Sequence, residues 1–179
     1  MIVLIEIYIL ELTLREFGFP SQTLKIIMAL TTSTSLSLKW NNESLDSFKP
    51  TGGLRQGDPL SPCFFVLCME KLALMVQNKV KENQRQPVNI SRNGPKISHP
   101  FFVDDCLLFT KAKSSQVRLV QQVLHDFCKA SGLKVSIQKS RFMASRNISR
   151  IKTDKFTTFG FNHTVKVDKY LGFPLLVGS

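Results

Sequence analysis

The sequence predicts an α+β fold in which an antiparallel sheet carries helices packed on one face. Three observations lead there. Apolar residues recur at helical spacing over 61–81 and again over 114–131. Two apolar runs, Phe101-Phe102-Val103 and Cys106-Leu107-Leu108-Phe109, flank an Asp104-Asp105 pair, as the strands of a hairpin flank its turn. The order is mixed along the chain, without internal repeat: helices, hairpin, helix, acidic hairpin, helix, strand, which fits helices packed on one face of a sheet.

Each element has its own local reason. The apolar stretch Ile2 to Phe17 reads as a buried helix or strand that stops at Gly18 and Pro20. Its first fourteen residues, MIVLIEIYILELTL, are too few to cross a bilayer, and Glu6 and Glu11 interrupt them. There is no basic head or small-residue cleavage site of a secretory signal, so an intracellular chain of the cytoplasm or nucleus, with no membrane segment, is expected. Ser21 is placed to cap a second helix running to about Leu30. Thr31 to Trp40 alternates polar and apolar residues as a strand does, and Asn41-Asn42 supplies a hairpin turn. Lys49 to Pro62 is dense in Gly and Pro and reads as a loop. From Ser61, Phe64, Phe65, Cys68, Met69, Leu72 and Val76 form one stripe of a helix ending near Lys81. Two short strands flank Asn93-Gly94. After the acidic hairpin, expected to be buried with its carboxylates at the tip, a helix from Ser114 to Ser131 buries Val117, Val120, Leu124 and Phe127 and stops at Gly132. Val135 to Met143 reads as a strand, and 169–175 as strand and turn.

Composition narrows the function. The 179 residues are 43 % apolar. That suffices for one domain burying roughly 70 % of its unfolded surface. The net charge of +11 favours polyanions, nucleic acid first. It is unevenly spread. Residues 1–24 hold Glu6, Glu11 and Glu16 against Arg15 alone. The stretch from Lys129 holds Lys134, Lys139, Arg141, Arg146, Arg150, Lys152 and Lys155 against Asp154 alone. Cys63, Cys68, Cys106 and Cys128 lie among apolar residues without C-x-x-C or zinc spacing, which points to free thiols in a reducing compartment. His99, His125 and His163 share no spacing and are read as structural or exposed. A hydrolase built on the acidic pair lacks a recognisable base or nucleophile set.

Two segments carry chemistry. Adjacent carboxylates between apolar strands repel each other, and a divalent cation removes that conflict; Mg²⁺ takes carboxylate oxygens, water and phosphates as ligands. The other segment is Thr51-Gly52-Gly53-Leu54-Arg55-Gln56-Gly57-Asp58-Pro59-Leu60-Ser61-Pro62. Its glycines let the backbone approach a ligand, Arg55 and Gln56 offer groups suited to phosphates, sugars or base edges, and Pro59, Ser61 and Pro62 launch a helix.

Taken together and in order, these segments resemble the LINE-type (non-LTR) retrotransposon reverse transcriptases, most closely the plant type. Gly53 to Pro62 is similar to motif B and Phe102-Val103-Asp104-Asp105 to motif C. Ser131-Gly132-Leu133-Lys134-Val135 through Lys139-Ser140 is similar to motif D, and Tyr170-Leu171-Gly172-Phe173-Pro174-Leu175 to motif E. Arg15-Glu16-Phe17-Gly18-Phe19-Pro20 resembles the segment after motif A. The resemblance covers nearly the whole chain from about Leu14 and implies that residues 1–179 are a partial reverse transcriptase domain, a right-hand polymerase palm carrying motifs B to E without motif A, fingers or thumb. It implies an RNA-directed DNA polymerase using two Mg²⁺ ions, an RNA or DNA template-primer and deoxynucleotides. By the same resemblance Asp104 is a metal ligand and Asp105 sits beside it. Arg55, Gln56 and Gly57 lie along template and nucleotide, and Lys139 protonates the leaving pyrophosphate. The motif A aspartate falls just before Met1 by this alignment. Glu6 is the nearest acid, but its neighbours match no part of that motif. Weakened Mg²⁺ binding and little or no polymerase activity are therefore expected of the isolated chain. The alternatives are a nucleic-acid-binding protein without catalysis and a protein-interaction fragment, both derived from the palm.

Overall fold

The computed structural model describes residues 7–33, 35–49, 58–89, 91, 93–145, 147–149, 156–157, 160–165 and 170–171. Among these the content is α+β, with four helices and four two-stranded ladders. The described residues divide into two compact units. One draws on Met1–Met75, Phe101–Asp105 and Asp126–Leu133, the other on Val76–Pro100, Cys106–His125 and Lys134–Ser179.

In the first unit, α1 (Ile7–Glu16) and α2 (Ser21–Thr32) form a helical pair. α1 ends because Gly18 takes φ +77°: its N–H donates to Arg15 and that of Phe19 to Leu14, a Schellman closure. A Cβ at Gly18 would meet nothing within 4 Å, so the backbone angle, not space, requires glycine. Ser21 does not cap α2. Pro20 occupies the N-cap with no side-chain hydrogen bond, and its carbonyl accepts the Leu24 N–H at 2.9 Å. α2 also runs on past Leu30. The Thr31 and Thr32 hydroxyls bond back to the Ile27 and Met28 carbonyls, so these residues continue the helix instead of opening a strand. The expected strand shrinks to β1 (Lys39–Trp40), paired antiparallel with β2 (Glu43–Ser44) across Asn41 and Asn42, both at positive φ, as a type I′ turn demands.

The core of this unit is Ile9, Leu10, Leu14, Leu24, Phe64 and Cys68, with Phe19, Ile27 and Leu133 packed against it. Phe64 and Cys68 come from α3 (Ser61–Lys81), whose buried residues Phe64, Cys68, Met69, Leu72 and Val76 follow the expected stripe. Thr13, also fully buried, shares a hydrogen bond with the Cys68 thiol, and burial pushes that thiol up to about 11. Glu16 pairs with Lys71 at the surface.

In the second unit α3 closes on Asn83, at φ +57°. The Asn83 N–H donates to Val80 and the Gln84 N–H to Lys79, each at 3.0 Å. β3 (Val88–Asn89) and β4 (Lys96–Ile97) pair antiparallel around the Asn93-Gly94 segment, as expected. α4 (Ser114–Ser131), which belongs to this unit as far as His125 and to the first unit beyond it, matches its predicted bounds and stops at Gly132, at φ +73°. Its most buried residues are Gln116, Val123, Phe127 and Ser131; Val117, Val120 and Leu124 are half-buried. The expected strand Val135 to Met143 is interrupted by a turn over 137–139, where the Ser136 carbonyl accepts from both Lys139 and Ser140. Only β7 (Arg141–Phe142) remains extended, and it pairs parallel with β8 (Asn162–His163). No helix among the described residues is long and apolar enough to cross a membrane.

Candidate functional site

The acidic pair sits on a tight hairpin. β5 (Phe101–Phe102) and β6 (Asp105–Cys106) form a two-stranded ladder joined by Val103 and Asp104. Below it the ladder continues: Leu107 N–H donates to Pro100 at 3.0 Å and Phe109 N–H to Ser98 at 2.8 Å. So the expected hairpin is present with its acids at the tip. It is not buried, however. Asp104 and Asp105 are exposed, and Phe102 and Val103 stay 56 % and 46 % exposed. The strands are two residues long, too short to cover their own turn.

Val103 adopts φ +52°. A β-branched residue in the left-handed region is strained, and such strain persists only where the surroundings fix the backbone. Here it leads directly into the first of two neighbouring carboxylates.

The base of this hairpin is held by a residue that sequence patterning did not single out. Arg85 follows the Asn83 closure of α3 and is only 2 % exposed. Its Nη2 donates to the Ser98 carbonyl at 3.1 Å and to the Phe109 carbonyl at 3.0 Å. Desolvation pulls its guanidinium down to about 10, still charged at neutral pH. Gln116 of α4 brackets Arg85: its amide donates to the Gln84 carbonyl and its carbonyl accepts the Gln86 N–H, both at 2.8 Å. A polar residue on the inner face of α4 was the only trace of this in the sequence.

The other expected site residues fare differently. Arg55, Gln56 and Gly57 lie outside the described residues. Next to them Asp58 is described, and its Oδ1 accepts the Leu60 N–H at 2.9 Å while its carbonyl accepts from Ser61, so an Asx-type turn leads into α3. Lys139 is exposed on the 137–139 turn, not in a strand. Beside it the Arg141 guanidinium folds back onto the Gln138 and Ser140 carbonyls. Of the basic stretch, Lys129, Lys134, Lys139 and Arg141 are described and all are exposed. The four cysteines are free; Cys63 is exposed rather than packed, whereas Cys68 is buried. His99 meets the Ser98 hydroxyl, and His163 lies 5.1 Å from the Phe142 ring.

Among the described residues no group of three or more His, Cys, Asp or Glu side chains could hold a metal ion. The acidic hairpin offers two adjacent, exposed carboxylates, and carboxylate oxygens are hard ligands of the kind Mg²⁺ takes.

Comparison with known proteins decides the family. Residues 5–175 match the family model for reverse transcriptase (RNA-dependent DNA polymerase). The chain belongs to the reverse transcriptase family. Its fold is accordingly of the reverse transcriptase palm type. It is also similar to an uncharacterized mitochondrial protein of Arabidopsis thaliana, 43 % identical over 56 residues, 31 % of this chain and 46 % of that protein. A second relative is a retrovirus-related Pol polyprotein from a type-2 retrotransposable element of Drosophila melanogaster. It is 28 % identical over 132 residues, 71 % of this chain and 11 % of the polyprotein. The chain thus spans less than half the length of either relative. Both are consistent with a non-LTR reverse transcriptase. Members of this reverse transcriptase family generally use divalent metal ions, nucleotides and a nucleic-acid template-primer.

Proposed function

We propose that these 179 residues are a partial palm of a non-LTR retrotransposon reverse transcriptase, carrying motifs B to E, which as an isolated chain does not polymerise DNA. The observation that carries this reading is the acidic hairpin: within the family match, two exposed carboxylates follow one another at a strained turn. In this reading an antiparallel palm sheet carries the helices on one face, and the hairpin belongs to that sheet. Asp104 and Asp105 would hold Mg²⁺, whose charge would supply activation of the primer hydroxyl and stabilisation of the leaving pyrophosphate. Arg55, Gln56 and Gly57 line template and incoming nucleotide. Lys139 donates a proton to the pyrophosphate, a role compatible with its exposed ammonium. In this reading Asp104 and Asp105 are the carboxylates these residues bring to the metal site, and two Mg²⁺ ions carry more charge than two carboxylates balance.

The test is primer extension in Mg²⁺ on an RNA template. The isolated chain is expected to give no turnover. A chimera in which residues 5–175 replace the matching stretch of an active family member, with that member's own motif A upstream, is expected to extend primer and to lose extension on Asp104→Asn. A chimera that extends equally well with Asp104→Asn contradicts the reading, as does turnover by the isolated chain.

A second reading is a nucleic-acid-binding protein without catalysis, favoured by the exposed cations Lys129, Lys134, Lys139 and Arg141. Tight RNA binding that weakens steeply with salt, together with a chimera that never extends primer, would single it out.

A further inference from the structure

Arg85 sits in an apolar recess with Val76, Leu108, Val120, Val123 and Leu124. A charge there is costly unless hydrogen bonds and packing compensate it. Among the described residues it has no acidic partner; its bonds go to two backbone carbonyls, Ser98 and Phe109, and its Nε and Nη1 have none. Those two carbonyls belong to residues that already pair with each other through the Phe109 N–H. One guanidinium nitrogen therefore spans both stems below the acidic turn. The guanidinium carries these donors in a plane at the end of a longer side chain than that of lysine. The backbone on either side of Arg85 is itself fixed by the two bonds of Gln116.

We infer that Arg85 is a positioning residue for the acidic hairpin, a clamp anchored on α4 through Gln116 that holds the two stems in register beneath Asp104 and Asp105. A two-residue ladder with a strained valine at its turn has little of its own to resist fraying. The clamp supplies a charge-assisted tie at a point where a single side chain reaches both stems. Its consequence for metal affinity rests on the reading of Asp104 and Asp105 as a metal site; its consequence for the hairpin does not.

The experiment compares the full 179-residue chain with Arg85→Met and Arg85→Lys in two measurements. Amide hydrogen exchange at Leu107 and Phe109 reads the ladder, with α1 amides as the internal reference. Mn²⁺ titration followed by electron paramagnetic resonance reads the carboxylates. Both variants are expected to speed exchange at Leu107 and Phe109 at least tenfold while α1 is unchanged, and to weaken Mn²⁺ binding at least threefold. The lysine variant retains the charge on a shorter side chain that does not reach both carbonyls as Nη2 does, so it separates clamping from charge and serves if the methionine variant does not fold. Unchanged exchange at Leu107 and Phe109, or equal acceleration everywhere including α1, overturns the inference. A wild-type chain that binds no Mn²⁺ overturns the metal reading instead, and the exchange comparison then decides Arg85 alone.

Discussion

The side-chain amide of Gln116 donates to the backbone carbonyl of Gln84 at 2.8 Å, and the other end of the same amide accepts the Gln86 N–H at the same distance. A glutamine on the inner face of a helix thus substitutes for a strand partner, holding a loop that leaves α3 and carries Arg85. Gln116→Leu takes that partner from a carbonyl on exposed Gln84 and an N–H on half-buried Gln86. We expect it to cost about 1–2 kcal/mol, measured as a lower urea midpoint. Gln116→Glu keeps the acceptor for Gln86 but turns a carboxylate toward the Gln84 carbonyl, and is expected to destabilise nearly as much at neutral pH.

The turn of the acidic hairpin gives an opposite expectation. Val103 holds φ +52° with a branched Cβ. Glycine there removes the steric cost, about 1–2 kcal/mol, and gives back part of it as backbone entropy in the unfolded chain. Val103→Gly is therefore expected to raise stability by up to about 1 kcal/mol, read from thermal or denaturant unfolding. A loss of stability would show that the valine side chain contributes packing despite its exposure.

Helix ends provide a third check. Gly18 and Gly132 sit at φ +77° and +73°, and Gly18 has open space around its missing Cβ. Gly18→Ala is expected to cost about 1 kcal/mol purely through the backbone. Asn83, in the same conformation at the end of α3, is the converse: Asn83→Gly is expected to be neutral or stabilising by a few tenths of a kcal/mol, with both changes measured against the same unfolding baseline.

The burial of Cys68 predicts a pH dependence. Burial raises the folded-state pKa of Cys68 from 9.0 to about 11. The folded chain therefore binds more proton than the unfolded chain between those values. Stability from this group is intact below pH 9 and falls as pH rises toward 11, by about 2–3 kcal/mol in all. Denaturant midpoints of wild type and Cys68→Ala, followed from pH 8 to 11, should converge as the wild type loses its advantage. Parallel curves would contradict the assignment.

How much of this was legible beforehand depended on how local the cause is. The bounds of α3 and α4 followed from periodic apolar residues, and the Asn41-Asn42 turn from two side chains that tolerate positive φ. The acidic hairpin followed from two apolar runs around Asp104-Asp105. The strands expected over 31–40 and 135–143 failed for short-range reasons that alternation does not encode: threonine hydroxyls turning back onto α2, and Ser136 accepting two N–H groups. Arg85 and Gln116 were missed because their meaning lies in carbonyls and amides far along the chain, Ser98 and Phe109 for the one, Gln84 and Gln86 for the other. The glycine-rich segment was read from its residues and its resemblance alone, since Arg55, Gln56 and Gly57 lie outside the described residues.

The claim on which the functional account depends is that Asp104 and Asp105 bind a divalent cation together. It is tested most directly by Mn²⁺ affinity measured by electron paramagnetic resonance on the wild-type chain, Asp104→Asn and Asp105→Asn, each with a primer-template bound. Each substitution removes one of two adjacent charges, and a loss of about 1.4 kcal/mol corresponds to tenfold weaker binding. The account predicts at least that loss for Asp104→Asn and a smaller one for Asp105→Asn. Equal affinity in all three proteins would contradict it.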